Sequence, residues 1–266
     1  EPLMRYVIGS LLAVLLATGS APSAEEDTVK MDDKTKKAVD KALDYLKDNQ
    51  AKDGSWGGTG KTAVTAFALL AFMANGHVPN QGTYGPEVAK GVRFLLSGSS
   101  DSGYLVHPSS GGGNMYCHGM AALALSQVWG MTGDEEVKKV LKKAIDLIVK
   151  SQNHEGGWRY EPSPTGADIS VTIMQVMALR GAKDSGLHVP DETIKKALGY
   201  IEKCRDSTSG GYKYQPSAGA PGYARTAAGV CILQLSGEYE AKQIEKAVKY
   251  METSTEDRQH WWYGHY

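Results

Sequence analysis

The chain has 266 residues and nearly balanced charge, with 29 basic and 30 acidic side chains and a formal net charge of −1. This length suits one large domain or a repeat array, and the balance excludes the basic excess expected of a nucleic-acid-binding domain. The odd number of cysteines, Cys117, Cys204 and Cys231, excludes a disulfide framework that pairs every cysteine.

The N-terminus is predicted to be a targeting segment. Met4 and Arg5 precede an apolar run over residues 7–17, and small residues follow to position 24. This pattern predicts a secretory signal peptide over residues 1–24, with an uncleaved membrane anchor as the alternative. A charged leader over 25–37 and a repeat domain over 38–266 would then form a secreted or periplasmic chain without a transmembrane segment.

Five amphipathic helices are predicted by apolar residues at positions i, i+3, i+4 and i+7. A small residue occupies the second position of every stripe, and its spacing along the chain is 49, 53, 53 and 50 residues. A near-constant period of this length indicates an internal repeat. The five residues are Ala42, Gly91, Ala144, Ala197 and Ala247.

A glycine-aromatic turn and a second helix follow each amphipathic helix. The second helices are apolar nearly all round, which predicts burial on every side, and a glycine is expected to end each one. The turns are Gly54-Ser55-Trp56, Ser102-Gly103-Tyr104, Gly156-Gly157-Trp158, Gly210-Gly211-Tyr212 and the eroded His260-Trp261-Trp262. The second helices are predicted over 63–73, 120–129, 169–179 and 227–235, with stops at Gly76, Gly130, Gly181 and Gly237.

A single unit of this kind cannot bury its apolar helix, so neighbouring units must stack. Amphipathic helices on one side and buried helices on the other predict an all-α fold, an α/α toroid of about five two-helix repeats. An open α-solenoid is the alternative. The fifth unit reaches Tyr266 where its buried helix should begin, so we expect one or two further units beyond the C-terminus.

Two of the turns extend into a longer motif, Gln50 to Gly57 and Gln152 to Trp158. This motif resembles the Gln-Trp motif of squalene and hopene cyclases and the repeat of protein prenyltransferase β-subunits, the prenyltransferase/squalene oxidase type of repeat. The resemblance covers about residues 38–266 and implies a toroid with a central pocket for isoprenoid chains. It also implies that the Gln and Trp of the motif are structural. The Asp-x-Asp-Asp acid of class II terpene cyclases is absent from the sequence.

In a toroid, the N-termini of the buried helices gather at one rim of the central cavity. When the buried helices are aligned by their terminal glycines, several polar residues fall near these N-termini. Cys117, His118 and Asp168 form a possible zinc ligand set, and Asp168 and His118 are the candidate catalytic residues. The alternative for Asp168 is a helix N-cap. The same helix N-termini, together with Arg225, would favour an anion such as a diphosphate or a uronate.

Aromatic residues close to the same rim are candidate ligand contacts, because aromatic faces stabilise cations and stack on sugars. The alternative is packing of each turn on its helix. The candidate ligand-binding residues are Arg225, Tyr116, Trp158, Tyr160, Tyr212, Trp262 and His265.

Three functions are consistent with these patterns. The first is a secreted toroid, similar to terpene cyclases and prenyltransferases, that binds an isoprenoid or similar apolar ligand, with catalysis left open. The second is a non-catalytic module that binds a protein partner at the cell envelope, favoured by the missing acid motif. The third is a secreted polysaccharide lyase-like toroid, which would need a charged cleft. The fold alone does not decide among them.

Overall fold

The computed structural model describes residues 31–239 and 242–254. The predicted signal peptide, residues 25–30 of the leader, the fifth turn, and the candidates Trp262 and His265 lie outside these residues. The chain divides into two compact units, Glu1–Val39 and Asp40–Tyr266. The architecture described below is that of the second unit.

The described residues form nine α-helices and one short 3-10 turn, Pro108–Ser110, with no β-strand among them. The first helix begins inside the segment predicted as a leader. The helices are α1 (Asp33–Asp48), α2 (Lys61–Ala74), α3 (Gly85–Ser97), α4 (Met115–Thr132), α5 (Glu135–Ser151), α6 (Ile169–Asp184), α7 (Asp191–Cys204), α8 (Tyr223–Leu235) and α9 (Lys242–Thr253).

The helices alternate between an outer and an inner layer. The inner helices α2, α4, α6 and α8 pack side by side in chain order. Among the outer helices, α3 packs on α2, α5 packs against both α4 and α6, α7 packs against both α6 and α8, and α9 packs on α8. The predicted repeat of one amphipathic outer helix and one apolar inner helix is therefore confirmed.

The amphipathic pattern explains how the outer helices are oriented on the inner layer. In α5, the side chains of Leu141, Ala144, Ile145 and Ile148 are buried, and Asp134 caps the helix by accepting hydrogen bonds from two backbone N–H groups. Burial of each large aliphatic side chain contributes roughly 1.5–3 kcal/mol. Lysine and glutamate occupy the opposite face, so the helix has only one stable orientation on the inner layer.

The inner helices differ in how completely they are covered. Helices α4 and α6 are buried along most of their length. Helix α2 keeps an apolar stripe at the surface: Val64 is 39% exposed, and Phe67, Leu70 and Ala71 are half-buried. Because α2 is apolar on all sides but is not completely covered, apolar side chains remain accessible on one side of it.

Two of the predicted helix stops are wrong. Gly130 and Gly181 lie inside α4 and α6, which end before Gly133 and Gly186. The latter two glycines have φ of 66° and 90°, the left-handed backbone that ends a helix. A Cβ on Gly181 would lie 2.9 Å from Leu123 Cδ1. That glycine is thus a close helix–helix contact, which sequence alone does not distinguish from a stop.

None of the described helices is both long and apolar enough to cross a lipid bilayer.

Candidate binding site

Each glycine-aromatic turn is hydrogen-bonded to the inner helix that follows it. The backbone N–H of the turn's aromatic residue donates to a threonine hydroxyl on that helix in three repeats: Trp56 to Thr65 at 3.0 Å, Trp158 to Thr172 at 3.1 Å, and Tyr212 to Thr226 at 3.0 Å. The indole N–H groups of Trp56 and Trp158 also donate to Leu46 O and Ile148 O on the preceding outer helix. These turns are therefore structural. We call each turn, with its hydrogen bonds to the neighbouring helices, a joint.

The joints account for two of the predicted ligand contacts. Trp158 and Tyr212 are 1% and 0% exposed. Both rings therefore pack between their turn and the neighbouring helices. This arrangement is the alternative to ligand contact that the sequence analysis gave for the aromatic residues.

The second repeat builds the same joint from different residues. Leu105, and not Tyr104, occupies the packed position, and its N–H donates to His118 Nδ1 at 3.0 Å. His118 thus stands where the other three repeats have threonine. The neighbouring Tyr104 ring lies against the His118 ring, with centroids 5.5 Å apart.

His118 is completely buried, and both of its ring nitrogens face backbone groups. Because Nδ1 accepts from Leu105, Nε2 carries the proton and points at Ala144 O, 3.3 Å away. Burial lowers the pKa of His118 to about 4, with Ala144 O acting in the opposite direction. The ring is therefore neutral and engaged in the joint, and it is not oriented as a metal ligand or a proton-transfer group.

The predicted zinc set is not assembled. Among residues 31–239 and 242–254, no group of three His, Cys, Asp or Glu side chains is arranged to hold a metal. The alignment that matched Cys117 to Asp168 is wrong, because it used the misassigned glycines. The structure matches Asp168 to Asn114, since both are N-caps. The four inner-helix caps recur every 54 residues, at Gly60, Asn114, Asp168 and Gly222.

Five side chains form a hydrogen-bonded group at the N-termini of α4 and α6, which we call the hydroxyl cluster: Asp168, Ser170, Tyr116, Tyr160 and Tyr214. Asp168 Oδ1 accepts from the Val171 N–H at 2.9 Å and from Ser170 Oγ at 2.6 Å. The single proton of Ser170 is used in that bond, so the Tyr116 hydroxyl, which contacts Ser170 Oγ, is the donor between them.

The other two phenols meet in the same group. The hydroxyls of Tyr160 and Tyr214 are 2.5 Å apart and share a hydrogen bond. The rings of Tyr116 and Tyr160 lie 6.1 Å apart. The Arg159 guanidinium lies 5.2 Å from the centroid of the Tyr160 ring. The cluster therefore joins phenols from two loops to a carboxylate at a helix cap.

Backbone hydrogen bonds fix the two loops that carry these phenols. Tyr160 O accepts from the Met115 N–H at 2.9 Å, and Tyr214 O accepts from the Ile169 N–H at 3.1 Å. Each loop is thus tied to the first residue of the preceding inner helix. These bonds also satisfy helix N–H groups that would otherwise lack partners.

The carboxylate of Asp168 is completely buried. Asp168 is 0% exposed, and its Oδ1 accepts the hydrogen bonds from Ser170 and Val171. The Tyr214 hydroxyl interacts with the same carboxylate, and burial, the bond to Tyr160 and the interactions with Asp168 all raise the pKa of Tyr214.

Arg225, predicted to attract an anion, lies against Gly222, the N-cap of α8. Its Nε is buried without an acceptor among the described residues. The candidates Trp262 and His265 lie outside the described residues. Of the predicted ligand-binding residues, the structure brings Tyr116 and Tyr160 together.

Tyr214 and Ser170 are cluster members that were not among the candidate site residues. The alternation Tyr212-Lys213-Tyr214 marks Tyr214 as an aromatic residue that could line a pocket, and Tyr214 lies 54 residues after Tyr160. Ser170 showed no separate signal.

An apolar pocket of about 800 Å³ lies between the C-terminal halves of α2 and α4. Gln127 is the one polar side chain among its described lining residues. The lining residues are Phe67, Leu70, Ala71, Met73, Ala74, Leu123, Gln127 and Met131.

No protein-family model matches the chain. The chain is similar to lanosterol synthases: it is 26% identical to that of Saccharomyces cerevisiae over 125 residues, which are 45% of this chain and 17% of the synthase. It is 28% identical to that of Candida albicans over 134 residues, 47% of this chain and 18% of the synthase. The matched stretch is thus less than a fifth of either relative.

Solved structures share the fold at low identity. Cellobiose 2-epimerase from Bacillus thermoamylovorans has a TM-score of 0.62 at 12% identity, with 80% of this chain and 69% of that chain covered. A variant of the type II terpene cyclase MstE from Scytonema, in complex with its substrate geranylgeranyl dihydroxybenzoate, has a TM-score of 0.55 at 16% identity, with 84% and 62% covered. An inactive α-1,6-mannanase of Salegentibacter in complex with α-1,6-mannotriose has a TM-score of 0.60 at 10% identity, with 83% and 71% covered.

These likenesses and the helix order confirm the predicted fold, a terpene cyclase-like α/α toroid.

Proposed function

We propose that this chain binds an isoprenoid or a similar apolar chain in the pocket between α2 and α4. The observation that carries the proposal is the lining, in which seven of the eight side chains are apolar. The volume is within the range of small-molecule sites. A polar ligand would bind weakly to this lining, because the lining offers almost no hydrogen bonds to replace those that the ligand loses with water.

Two comparisons support an isoprenoid as the apolar ligand. The lanosterol synthases are the relatives detected by sequence, and MstE holds a geranylgeranyl compound in its solved structure. The proposal is limited to binding. The Asp-x-Asp-Asp run is absent from the sequence, and His118 is engaged by backbone groups on both sides. Asp168 therefore remains the one candidate catalytic residue.

The first test fills the pocket. Ala71 is half-buried in the pocket wall, so Ala71→Trp places an indole in the cavity without disturbing the buried side of α2. We expect a loss of at least about tenfold in affinity for geranylgeraniol, because the apolar area available to the ligand is removed. Isothermal titration of the whole chain against the detergent-solubilised alcohol measures the change.

Ala51→Trp, at an exposed turn position, is the matched control and should bind like the parent chain. If geranylgeraniol does not bind to the parent chain, or if it binds equally well to Ala71→Trp, this pocket is not an isoprenoid site.

The hydroxyl cluster favours a second candidate, recognition of a saccharide, because phenols and a carboxylate are typical groups for hydrogen bonding to sugar hydroxyls. Toroids that share the fold include an epimerase of cellobiose and a mannanase holding mannotriose. Titration with cellobiose and mannotriose tests this candidate. Saturable binding that Ala71→Trp leaves unchanged would favour it over the isoprenoid.

Secretion is part of the proposal and is supported by the sequence pattern of residues 1–24. Fusing those residues to a reporter enzyme that is active only after export provides the test. A reporter that stays inside the cell would exclude the signal peptide.

A further inference from the structure

We propose that the ligand of this chain is an amphiphile: its apolar chain lies in the pocket between α2 and α4, and its head, an uncharged saccharide, lies in a second cavity. The inference rests on the proposed function and names the class of ligand. The second cavity, which we call the polar cavity, has a volume of about 460 Å³, within the range of small-molecule sites. Met131 lines both the apolar pocket and the polar cavity, so the two meet at this side chain.

The polar cavity lies at the C-terminal end of α4, between α3, the loop that precedes α3 and the start of α5. Half of its twelve described lining residues are polar, whereas one of the eight around the apolar pocket is polar. Two adjoining cavities of such different character suit a ligand with one apolar and one polar part. The polar lining residues are Asn80, Gln81, Arg93, Thr132, Asp134 and Glu136.

Four of these side chains are available to a ligand. Within the described part of the chain, the side chains of Asn80, Gln81, Arg93 and Glu136 make no hydrogen bond or ion pair to another residue. The two amides offer donors and acceptors, the guanidinium offers donors and the carboxylate offers acceptors. A sugar presents several hydroxyl groups that each donate and accept, so it is complementary to all four.

The charges around the polar cavity disfavour an anionic head. Among the described lining residues, Asp134 and Glu136 contribute two carboxylates against the one guanidinium of Arg93. The Asp134 carboxylate already accepts from the backbone N–H groups of Glu136 and Val137, which are the groups that α5 would offer to an anion. The C-terminal end of α4 adds partial negative charge. An uncharged head avoids this repulsion.

The test compares three probes that share one tail: geranylgeraniol, geranylgeranyl β-glucoside and geranylgeranyl phosphate. Isothermal titration of the whole chain at one fixed detergent concentration measures their affinities. We expect the glucoside to bind about tenfold or more tightly than the alcohol, because it adds several hydrogen bonds of modest net strength. We expect the phosphate to bind more weakly than the glucoside. Methyl β-glucoside, which lacks the tail, should bind far more weakly than the prenyl glucoside.

Asn80→Gly and Arg93→Met remove polar groups from the head site and leave the apolar pocket intact. Asn80 is exposed and has a φ of 60°, which glycine adopts readily, so the loop keeps its shape. Each variant should reduce the preference for the glucoside over the alcohol by about threefold or more, with the affinity for the alcohol unchanged. Lys90→Met, an exposed position of α3 outside the cavity lining, is the matched control and should keep the parent preference.

Glu136→Gln separates charge from hydrogen bonding, because the amide keeps polar atoms at this position but removes one negative charge. The affinity for the phosphate should increase by about threefold or more relative to the alcohol. An unchanged affinity for the phosphate would contradict the assigned position of the head beside Glu136.

Ala71→Trp tests whether one ligand occupies both cavities. It should weaken the alcohol and the glucoside by the same factor, since both place the same tail in the filled pocket. Glucoside binding that Ala71→Trp leaves unchanged, or methyl glucoside that binds as tightly as the prenyl glucoside, would overturn the inference. Equal affinities for alcohol and glucoside in the parent chain, or tighter binding of the phosphate, would overturn it while leaving the apolar pocket as an isoprenoid site. If the alcohol does not bind, the proposed function itself fails.

Discussion

At the scale of single residues, His118 shows how a repeat tolerates an exceptional side chain. The other three described repeats place a threonine hydroxyl under the turn, at Thr65, Thr172 and Thr226. His118 supplies the same acceptor through Nδ1 and fills additional volume between α4 and α5 by reaching Ala144 O. The imidazole is a larger and titratable replacement for a hydroxyl.

This replacement predicts a loss of stability in acid. The pKa of His118 is about 4 in the folded chain and about 6.5 in an unfolded one, so the unfolded chain takes up the proton first. The contribution of neutral His118 to the free energy of unfolding is fully present above pH 6.5. It is lost as the pH is lowered towards 4, by about 3 kcal/mol in total. His118→Thr should flatten that part of the profile. Urea denaturation between pH 4 and 7.5 measures it.

The exposed His154→Thr variant is the control for the loss of a histidine. At pH 7.5, His118→Thr should cost about 1–3 kcal/mol, because a smaller side chain leaves a cavity. A variant with the same acid dependence as the parent chain would show that His118 is not the titrating group.

At the scale of the element, Gln50 and Gln152 hold successive repeats together. The Nε2 group of Gln152 donates to Gly156 O in its own turn and to Thr193 O at the start of α7, both at 2.8 Å. Gln50 does the same with Gly54 O and Glu87 O. The structural role that the Gln-Trp resemblance implied for these glutamines agrees with these contacts.

Replacing Gln152 by Met keeps the length of the side chain but removes both donors. We expect the free energy of unfolding to fall by about 1–3 kcal/mol, since two carbonyls lose their partner in a part-buried position. Gln50→Met should cost a similar amount, because its bonds are equivalent. Guanidinium denaturation measures both, with the exposed Gln81→Met as the control. A change below about 0.5 kcal/mol in both variants would contradict the assigned role.

At the scale of the whole molecule, the inner helices α4 and α6 pack tightly against each other. A Cβ on Gly119 would lie 2.9 Å from both Met174 O and Gln175 Nε2. Gln175 is buried and donates to Met115 O at 2.8 Å, so it cannot move aside without losing that bond. The spacing of the two helices is thus set by the absence of a side chain at position 119.

Gly119→Ala is therefore expected to destabilise the chain by about 1–3 kcal/mol through overpacking. Gly199→Ala is the matched control on the outer helix α7, where a Cβ would meet nothing within 4 Å. It should stabilise the chain by about 0.5–1 kcal/mol, the usual gain of alanine over glycine inside a helix. Thermal unfolding of both variants checks the opposite signs, and equal signs would refute the argument.

The repeat was predictable from the sequence because its signals are local. The outer-helix stripes and the turn glycines each depend on a few neighbouring residues, and the structure retains them. The inner-helix alignment was not predictable, because Gly130 and Gly181 resemble stops and only their helix neighbours show otherwise. That error separated Asp168 from Asn114, its true counterpart. The hydroxyl cluster contains hydrogen-bonded pairs of residues 54 positions apart, so its prediction depended on the alignment that failed.

The turn glycines Gly54, Gly103, Gly156 and Gly210 all rest on backbone of the next outer helix, at Lys90, Lys143, Lys196 and Lys246. Each such joint involves only adjoining repeats, and the four inner-helix caps, Gly60, Asn114, Asp168 and Gly222, are separated by three equal intervals of 54 residues. Genetic recombination that duplicates or deletes one whole unit therefore rejoins matching surfaces. The number of units in such a protein can change during evolution while every remaining joint keeps its partner.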